Sequence, residues 1–401
     1  MPGHPLPSRA FGLGSGAGGA TVARELASAG HPVLIIERGP EIPDQDAHRH
    51  YANVNAEVKL MRTFCLGGTT MVSGGNALRC LEQELRAHGI DLSSEFAETE
   101  RELGVQELPD DLIGEGTRRL MDASLDLGLP VRKMPKFIDP DRCCTDGRCS
   151  LGCPVSARWT AGEYIREAQG NGARVITGQA VLSVCVRHGE VSGVRCGTSE
   201  YSDDLVVIAA GALETPRLLR PLGIPTSPLF CDTFATIGGV YPDIAFDRDV
   251  PMGTYLAHDR CLVMPHYARQ LGALLHERGE TVGEGDVLSM MVKIADQDSG
   301  SVGETIEKGV TAADARILAG GVAVAGAILQ RAGVDPKTFR TAPLRGPHPG
   351  GTARIGVSVD NTLMTGIGGL YVADASVLPS APGAPPILTI ISLAKHAARR
   401  M

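Results

Sequence analysis

The sequence predicts an α/β fold in which a doubly wound domain is interrupted by an inserted, discontinuous α+β domain. Three stretches of strand–turn–helix character carry this reading. The first, Ala10 to Glu37, passes through a Gly-rich turn and the helical TVARELASAG to the apolar run VLII. The second, LVVIAAGALETPRLLRPLGI from Leu205 to Ile224, is an apolar strand, a turn of small residues and an amphipathic helix. The third, GLYVADASVLPSAPGAPPILTIISLAKHAARR, joins a strand to a Pro-rich turn and a closing helix. Such punctuation suits an open sheet with ligand contacts at its strand ends. Between them lie charged helices, a cysteine-rich loop, short strands broken by Pro, Gly and Asp, and a helical stretch near 303 to 333. The division expected is 1–80, 173–225 and 341–401 for the first domain, and 81–172 and 226–340 for the inserted one. A length of 401 residues agrees with two domains.

Composition narrows the function. Hydrophobic residues at 43% and charged residues at 21% are ordinary for a globular chain. The 50 glycines, about 12% against a usual value of roughly 7%, show no Gly-X-Y period and suggest tight turns and close approach to a ligand. A net charge of −8 without a basic stripe argues against nucleic acid as a partner. The N-terminus has no charged segment followed by an apolar one, so no secretory signal is expected. The longest apolar run, Ile317 to Leu329, is too short for a transmembrane segment and reads as a buried Ala/Gly-rich helix. With ten cysteines and no export signal, a reducing, cytoplasmic setting is expected.

GSGAGG sets Gly14, Gly16 and Gly19 in the G-x-G-x-x-G register at a helix start. There the glycines permit a tight turn, approach of a pyrophosphate and close helix–strand packing, while the helix N-terminus offers free N–H groups. Glu37 ends the next apolar strand, placed to accept hydrogen bonds from a ribose. An acid there disfavours a 2′-phosphate, so FAD or NAD is expected rather than NADP.

Four blocks in order resemble the glucose–methanol–choline (GMC) family of FAD-dependent oxidoreductases. They are FGLGSGAGGATVARELASAGHPVLIIERG, LGGTTMVSGGNALR, AAGALETPRLLRPLGI, and HPGGTARIG with VADASVLPSAPGAPPILTI. The resemblance implies a Rossmann-like FAD-binding domain with an inserted substrate domain. It places Gly14, Gly16 and Gly19 at the pyrophosphate and Glu37 at the ribose. Leu66, Gly67, Gly68, Thr69 and Thr70 match the loop passing the flavin and phosphates, and Val181 the adenine contact. Asp374, Ala375 and Pro386 match segments beside the flavin.

His348, opening HPGGTARIG, matches the family's active-site histidine. Oxidation of an alcohol needs a group to take the hydroxyl proton, and a neutral imidazole suits that task. The family's second active-site position, usually His or Asn, aligns with Pro385, which offers no side-chain donor or acceptor. Asn361 or a group from the inserted domain is then expected to replace it. Alternatively the reaction differs: a flavin-dependent reduction of a carbonyl or activated double bond, or a catalytically idle electron-transfer subunit.

CCTDGRCSLGCP holds Cys143, Cys144, Cys149 and Cys153, with Asp146 in the second ligand position of a ferredoxin-like run. Three readings stand: an iron–sulfur cluster on Cys143, Asp146, Cys149 and Cys153, completed from Cys231 or Cys261; a zinc or other structural metal; or free thiols, or a disulfide formed on isolation. A cluster would pass electrons singly to a protein or quinone-like acceptor.

Overall fold

Apolar runs too short to be helices set the first layer. In the computed structural model, which describes residues 11–401, Phe11–Leu13, Leu34–Ile36, Val206–Ile208 and Leu370–Val372 are buried throughout. Burial on both faces is what parallel strands require. With Arg174–Ile176 they form one parallel sheet, in the order Leu370–Val372, Val206–Ile208, Phe11–Leu13, Leu34–Ile36, Arg174–Ile176. The expected Rossmann-like layer is thus present. The N-terminal stretch read as lacking a signal lies, through residue 10, outside the described residues.

The chain proceeds from Phe11–Leu13 to Leu34–Ile36 on one side and later to Val206–Ile208 on the other. The direction therefore switches at the end of the first strand, where ligand crevices form in such sheets. Side chains alternate between faces. Ile35 and Val207 enter a core shared with the helices Ala17–Ser28 and Ala161–Gly170. Phe11, Leu13, Val206 and Ile208 enter the opposite core, with strands Ser183–Arg187 and Glu190–Cys196. The last helix, Ile387–Ala398, contributes to both cores. The single tryptophan, Trp159, packs edge-to-face on Phe137 and Tyr164, with ring centroids 5.9 and 5.0 Å away.

The inserted layer is a seven-stranded sheet built around Phe234–Val240 and Val287–Ile294, antiparallel in nearly all its pairings. Sheet membership cuts across two expected boundaries. Arg340–Gly346 pairs with Phe234–Val240, and Lys59–Leu60 extends the same sheet. Conversely, Ala161–Gly170 packs on Ala17–Ser28, beside the parallel sheet.

The helix Ala312–Arg331 starts at a capping box formed by Thr311 and Asp314 and lies on the seven-stranded sheet. Among the described residues it alone is long and apolar enough to cross a membrane. Leu318, Gly321, Ala325, Ile328 and Leu329 are buried, and a Cβ at Gly321 would lie 2.4 Å from Val292. Ala319, Gly320, Ala323 and Ala327 are exposed. The expected buried helix is therefore half-buried, because it caps the outside of the sheet and only one face meets it.

Candidate active site

The Gly-rich turn closes against the neighbouring strands. A Cβ at Gly14 would lie 2.3 Å from the carbonyl oxygen of Ala209, and one at Gly19 2.1 Å from that of Gly14. At Gly18, a position the sequence pattern left unassigned, it would lie 1.7 Å from the oxygen of Ala373. At Gly16 it would meet nothing within 4 Å. The space over Gly16 belongs to a cavity of about 530 Å³. That open space beside a helix N-terminus fits a pyrophosphate.

Ser15, also unassigned from sequence, joins three loops. Its N–H and hydroxyl donate to one carboxylate oxygen of Glu37 at 3.0 and 2.6 Å, and its Oγ accepts from the Gly67 N–H at 3.0 Å. Glu37 also accepts from Gly39 N–H at 2.7 Å. Three of its roughly four acceptor sites are thereby used, leaving one for a ribose hydroxyl.

Gly14, Gly16, Glu37, Gly68, Thr69, Thr70, Val181, Asp374, Ala375 and Pro386 all line the cavity. Gly19, Leu66 and Gly67 do not; they hold its walls. The Thr70 hydroxyl is spent on the backbone, donating to Gly67 and accepting from Ala161 N–H. Asp374 likewise accepts from Gly211 N–H, the Thr215 hydroxyl and Ser376 N–H, fixing the crossing between two strand ends.

His348 lines the same cavity. Gly350 and Gly351 let its segment lie against Phe230, whose ring would be within 2.5 Å of a Cβ at either position. Two residues after Phe230, Asp232 is fully buried with φ near +49°, a conformation costly for most residues and better tolerated by Asp. Its Oδ2 lies 2.9 Å from His348 Nδ1, and its Oδ1 accepts from Gly383 N–H at 2.8 Å. Lys293, from the centre of the inserted sheet, places Nζ 3.3 Å from Nδ1 and 3.5 Å from Nε2.

Burial, helped by the Lys293 ammonium, holds the imidazole well below its usual range. Burial pushes the Asp232 carboxyl up, against the pull of Lys293 and the Gly383 N–H. It lowers Lys293 to about 8. When Asp232 is ionised it accepts from Nδ1–H, so the basic lone pair resides on Nε2.

Pro385 lines the cavity as expected. Asn361 does not; it is exposed, and its main-chain carbonyl accepts from His396. The side chain beside His348 is Lys293. Sequence reasoning missed both Lys293 and Asp232, although each is a lone charge in an apolar run, MMVKIA and LFCDTF. A charge isolated in that way is costly unless it has a partner or a task.

Two family models of the GMC oxidoreductases match the chain, one over residues 15–239 and one over 297–394. The chain belongs to the GMC oxidoreductase family. This GMC protein is 32% identical over 394 residues to an uncharacterised protein of Methanocaldococcus jannaschii, covering 97% of this chain and 98% of the relative. It is 28% identical to an uncharacterised GMC-type oxidoreductase of Mycobacterium tuberculosis, covering 95% of this chain and 74% of that one. Among solved structures, pyridoxine 4-oxidase from Mesorbium loti superposes with a TM-score of 0.75 at 17% identity, covering 98% and 99% of the two chains. At that identity the likeness shows the fold. As a GMC member the protein is an FAD-dependent oxidoreductase acting on CH–OH donors. Lys293 falls between the two matched stretches, where a family pattern is silent.

The cysteine loop lies elsewhere. Cys143, Cys144, Asp146, Cys149 and Cys153 line a second cavity of about 10 Å³, room for about one water. No group of three or more His, Cys, Asp or Glu among the described residues is placed to hold a metal ion. The cluster expected on Cys143, Asp146, Cys149 and Cys153 is therefore not supported by this geometry. Cys149 and Cys153 are buried in an apolar cluster with Ile138 and Val250, Cys144 is exposed, and Asp146 caps Arg148 N–H. Cys231 and Cys261 do not line that cavity; Cys231 lies beside Asp296, and Cys261 bonds the His258 carbonyl.

Proposed function

We propose that this protein oxidises a small apolar alcohol to its carbonyl, with His348 as the base. One observation carries the reading: a single cavity runs from the dinucleotide turn to an imidazole held by a buried carboxylate. FAD, when bound, supplies the acceptor for the hydride leaving the carbinol carbon. The protein's part is the proton. His348 is neutral at working pH because burial depresses it, so Nε2 can take the hydroxyl proton as the resulting charge is stabilised by Asp232. The walls around it are Met61, Met252, Met291 and Phe234, an adaptable apolar surface suited to a hydrocarbon body. Two long-chain-alcohol oxidases of Arabidopsis thaliana are among the similar proteins, which supports an alcohol as donor.

The test is anaerobic stopped-flow reduction of the bound flavin by a panel of alcohols. His348→Ala should retain FAD and slow reduction by about two to four orders of magnitude. Unchanged reduction would remove His348 from the role.

A further inference from the structure

We propose that Lys293 is the second substrate-binding group of this active site, its ammonium holding the reacting oxygen while His348 takes the proton. The inference rests on the alcohol-oxidation reading and assigns what replaces the side chain missing at Pro385.

The argument begins with satisfaction of donors. Val287–Ile294 is buried at every position, so Lys293 carries its charge out of water. Such a charge is held in folded proteins by a carboxylate or a full set of acceptors. The other buried lysines obey this rule. Lys308 has Asp296 at 2.8 Å, and Lys395 has Glu98 and Glu102 at 2.9 and 2.8 Å. Lys136 has three oxygens within 2.9 Å. Lys293 forms no ion pair among the described residues, and its hydrogen-bond neighbours are the two ring nitrogens of one imidazole. Of those, Nδ1 is engaged by Asp232. An ammonium has three donors, so at least two are left for whatever occupies the cavity it lines.

Position completes the case. A substrate oxygen within reach of His348 Nε2 is also within reach of Nζ, 3.5 Å from that nitrogen. As the O–H proton passes to Nε2 and the C–H hydride leaves for the flavin, negative charge develops on that oxygen and the lysine's N–H groups stabilise it. Lys293 keeps its own protons throughout. The charged or titratable groups around it are Asp232, His348, His266 and Cys231, with Arg345, Asp296 and Lys308 behind them. Asp232 favours the ammonium and burial opposes it, which leaves Lys293 titrating near 8. A lysine acting as donor must be protonated, so the rate should fall as pH rises through about 8. An arginine at this position stays charged well above that.

The experiment uses FAD-loaded enzyme, with Lys293→Met and Lys293→Arg beside wild type and His348→Ala. Flavin reduction by an alcohol that turns over is followed against pH. Binding of 2,2,2-trifluoroethanol, an alcohol that gives up hydride poorly, is followed by its perturbation of the flavin spectrum. Lys293→Met should reduce about 10² to 10³-fold more slowly and bind trifluoroethanol at least tenfold more weakly. Lys293→Arg should recover part of both and keep its rate above pH 8, where wild type loses it. Wild-type rate and affinity in Lys293→Met overturn the proposal. If that variant fails to fold, an alkaline limb at the same pH in Lys293→Arg and wild type overturns it. Should His348→Ala reduce as fast as wild type, the base assignment fails; the trifluoroethanol comparison still decides the lysine.

Discussion

A methyl group added at Gly16 would enter the cavity, whereas one added at Gly18 would lie 1.7 Å from the carbonyl oxygen of Ala373. The two glycines are two positions apart and fail differently. Gly16→Val should give folded protein, by circular dichroism and an unshifted melting midpoint of the cofactor-free form, that no longer retains FAD. Gly18→Ala should melt lower with or without FAD, because the clash is with backbone. FAD retained in full by Gly16→Val would move the pyrophosphate away from this turn. Much of this end was legible in the sequence, since a Gly-rich turn and a terminal acid have fixed spacing. What could not be read was contact across the fold. Ser15 carried no assignment from sequence, yet it links Glu37 to Gly67; Asp232 and Lys293 are 61 positions apart and come together beside His348. Asn361, one of the partners suggested for the proline-vacated position, is exposed and does not line the cavity.

At the scale of elements, Ala312–Arg331 shows how one pattern can hide two environments. A mostly apolar run has no obvious polar stripe, so its periodicity did not reveal which side meets the sheet. The packing does. Gly321 faces Val292 and Cys261, while a Cβ at Gly320 would meet nothing within 4 Å. Gly320→Ala should therefore stabilise the protein by about 1 kcal/mol, the difference between the two residues in a helix interior. Gly321→Ala should destabilise it by forcing the helix off the sheet, and calorimetric melting of the two variants would show opposite shifts. Two shifts of the same sign would mean that the helix docks on a different face. The strand Val206–Ile208 was easier to anticipate, because a short, wholly apolar run has few other places to go.

At the scale of the molecule, a cluster of ions ties the C-terminal helix to two helices from far upstream. Lys395, fully buried, reaches Glu98 and Glu102 on Ser93–Glu102 and lies 3.5 Å from Glu25 on Ala17–Ser28. Burial alone would raise Glu98, but hydrogen bonds from Arg399 and Lys395, with their charges, hold it down to about 2; Glu102 is lowered as well. A carboxyl depressed on folding stabilises fully above its unfolded value and loses that contribution as pH falls toward the folded one. The junction should therefore weaken from about pH 4.5 down to about 2. Lys395→Met should lower the melting midpoint at pH 7, since it strands two buried-edge carboxylates, and should flatten the acid dependence. A midpoint that falls with acid just as steeply in the variant would place the titrating groups elsewhere. The sequence showed a closing helix; the ionic joint needed the third dimension, as its members are some 300 positions apart.

The lone indole at position 159 gives the molecule an optical gauge of its own. Trp159 lies two residues before Ala161, whose N–H holds the Thr70 hydroxyl at the cavity wall. Indole emission overlaps flavin absorption, so light absorbed by this one ring should drain to bound FAD. Indole fluorescence, excited where the seven tyrosines do not absorb, should rise as the cofactor is stripped and fall as it is restored, reporting occupancy from one tryptophan without a label.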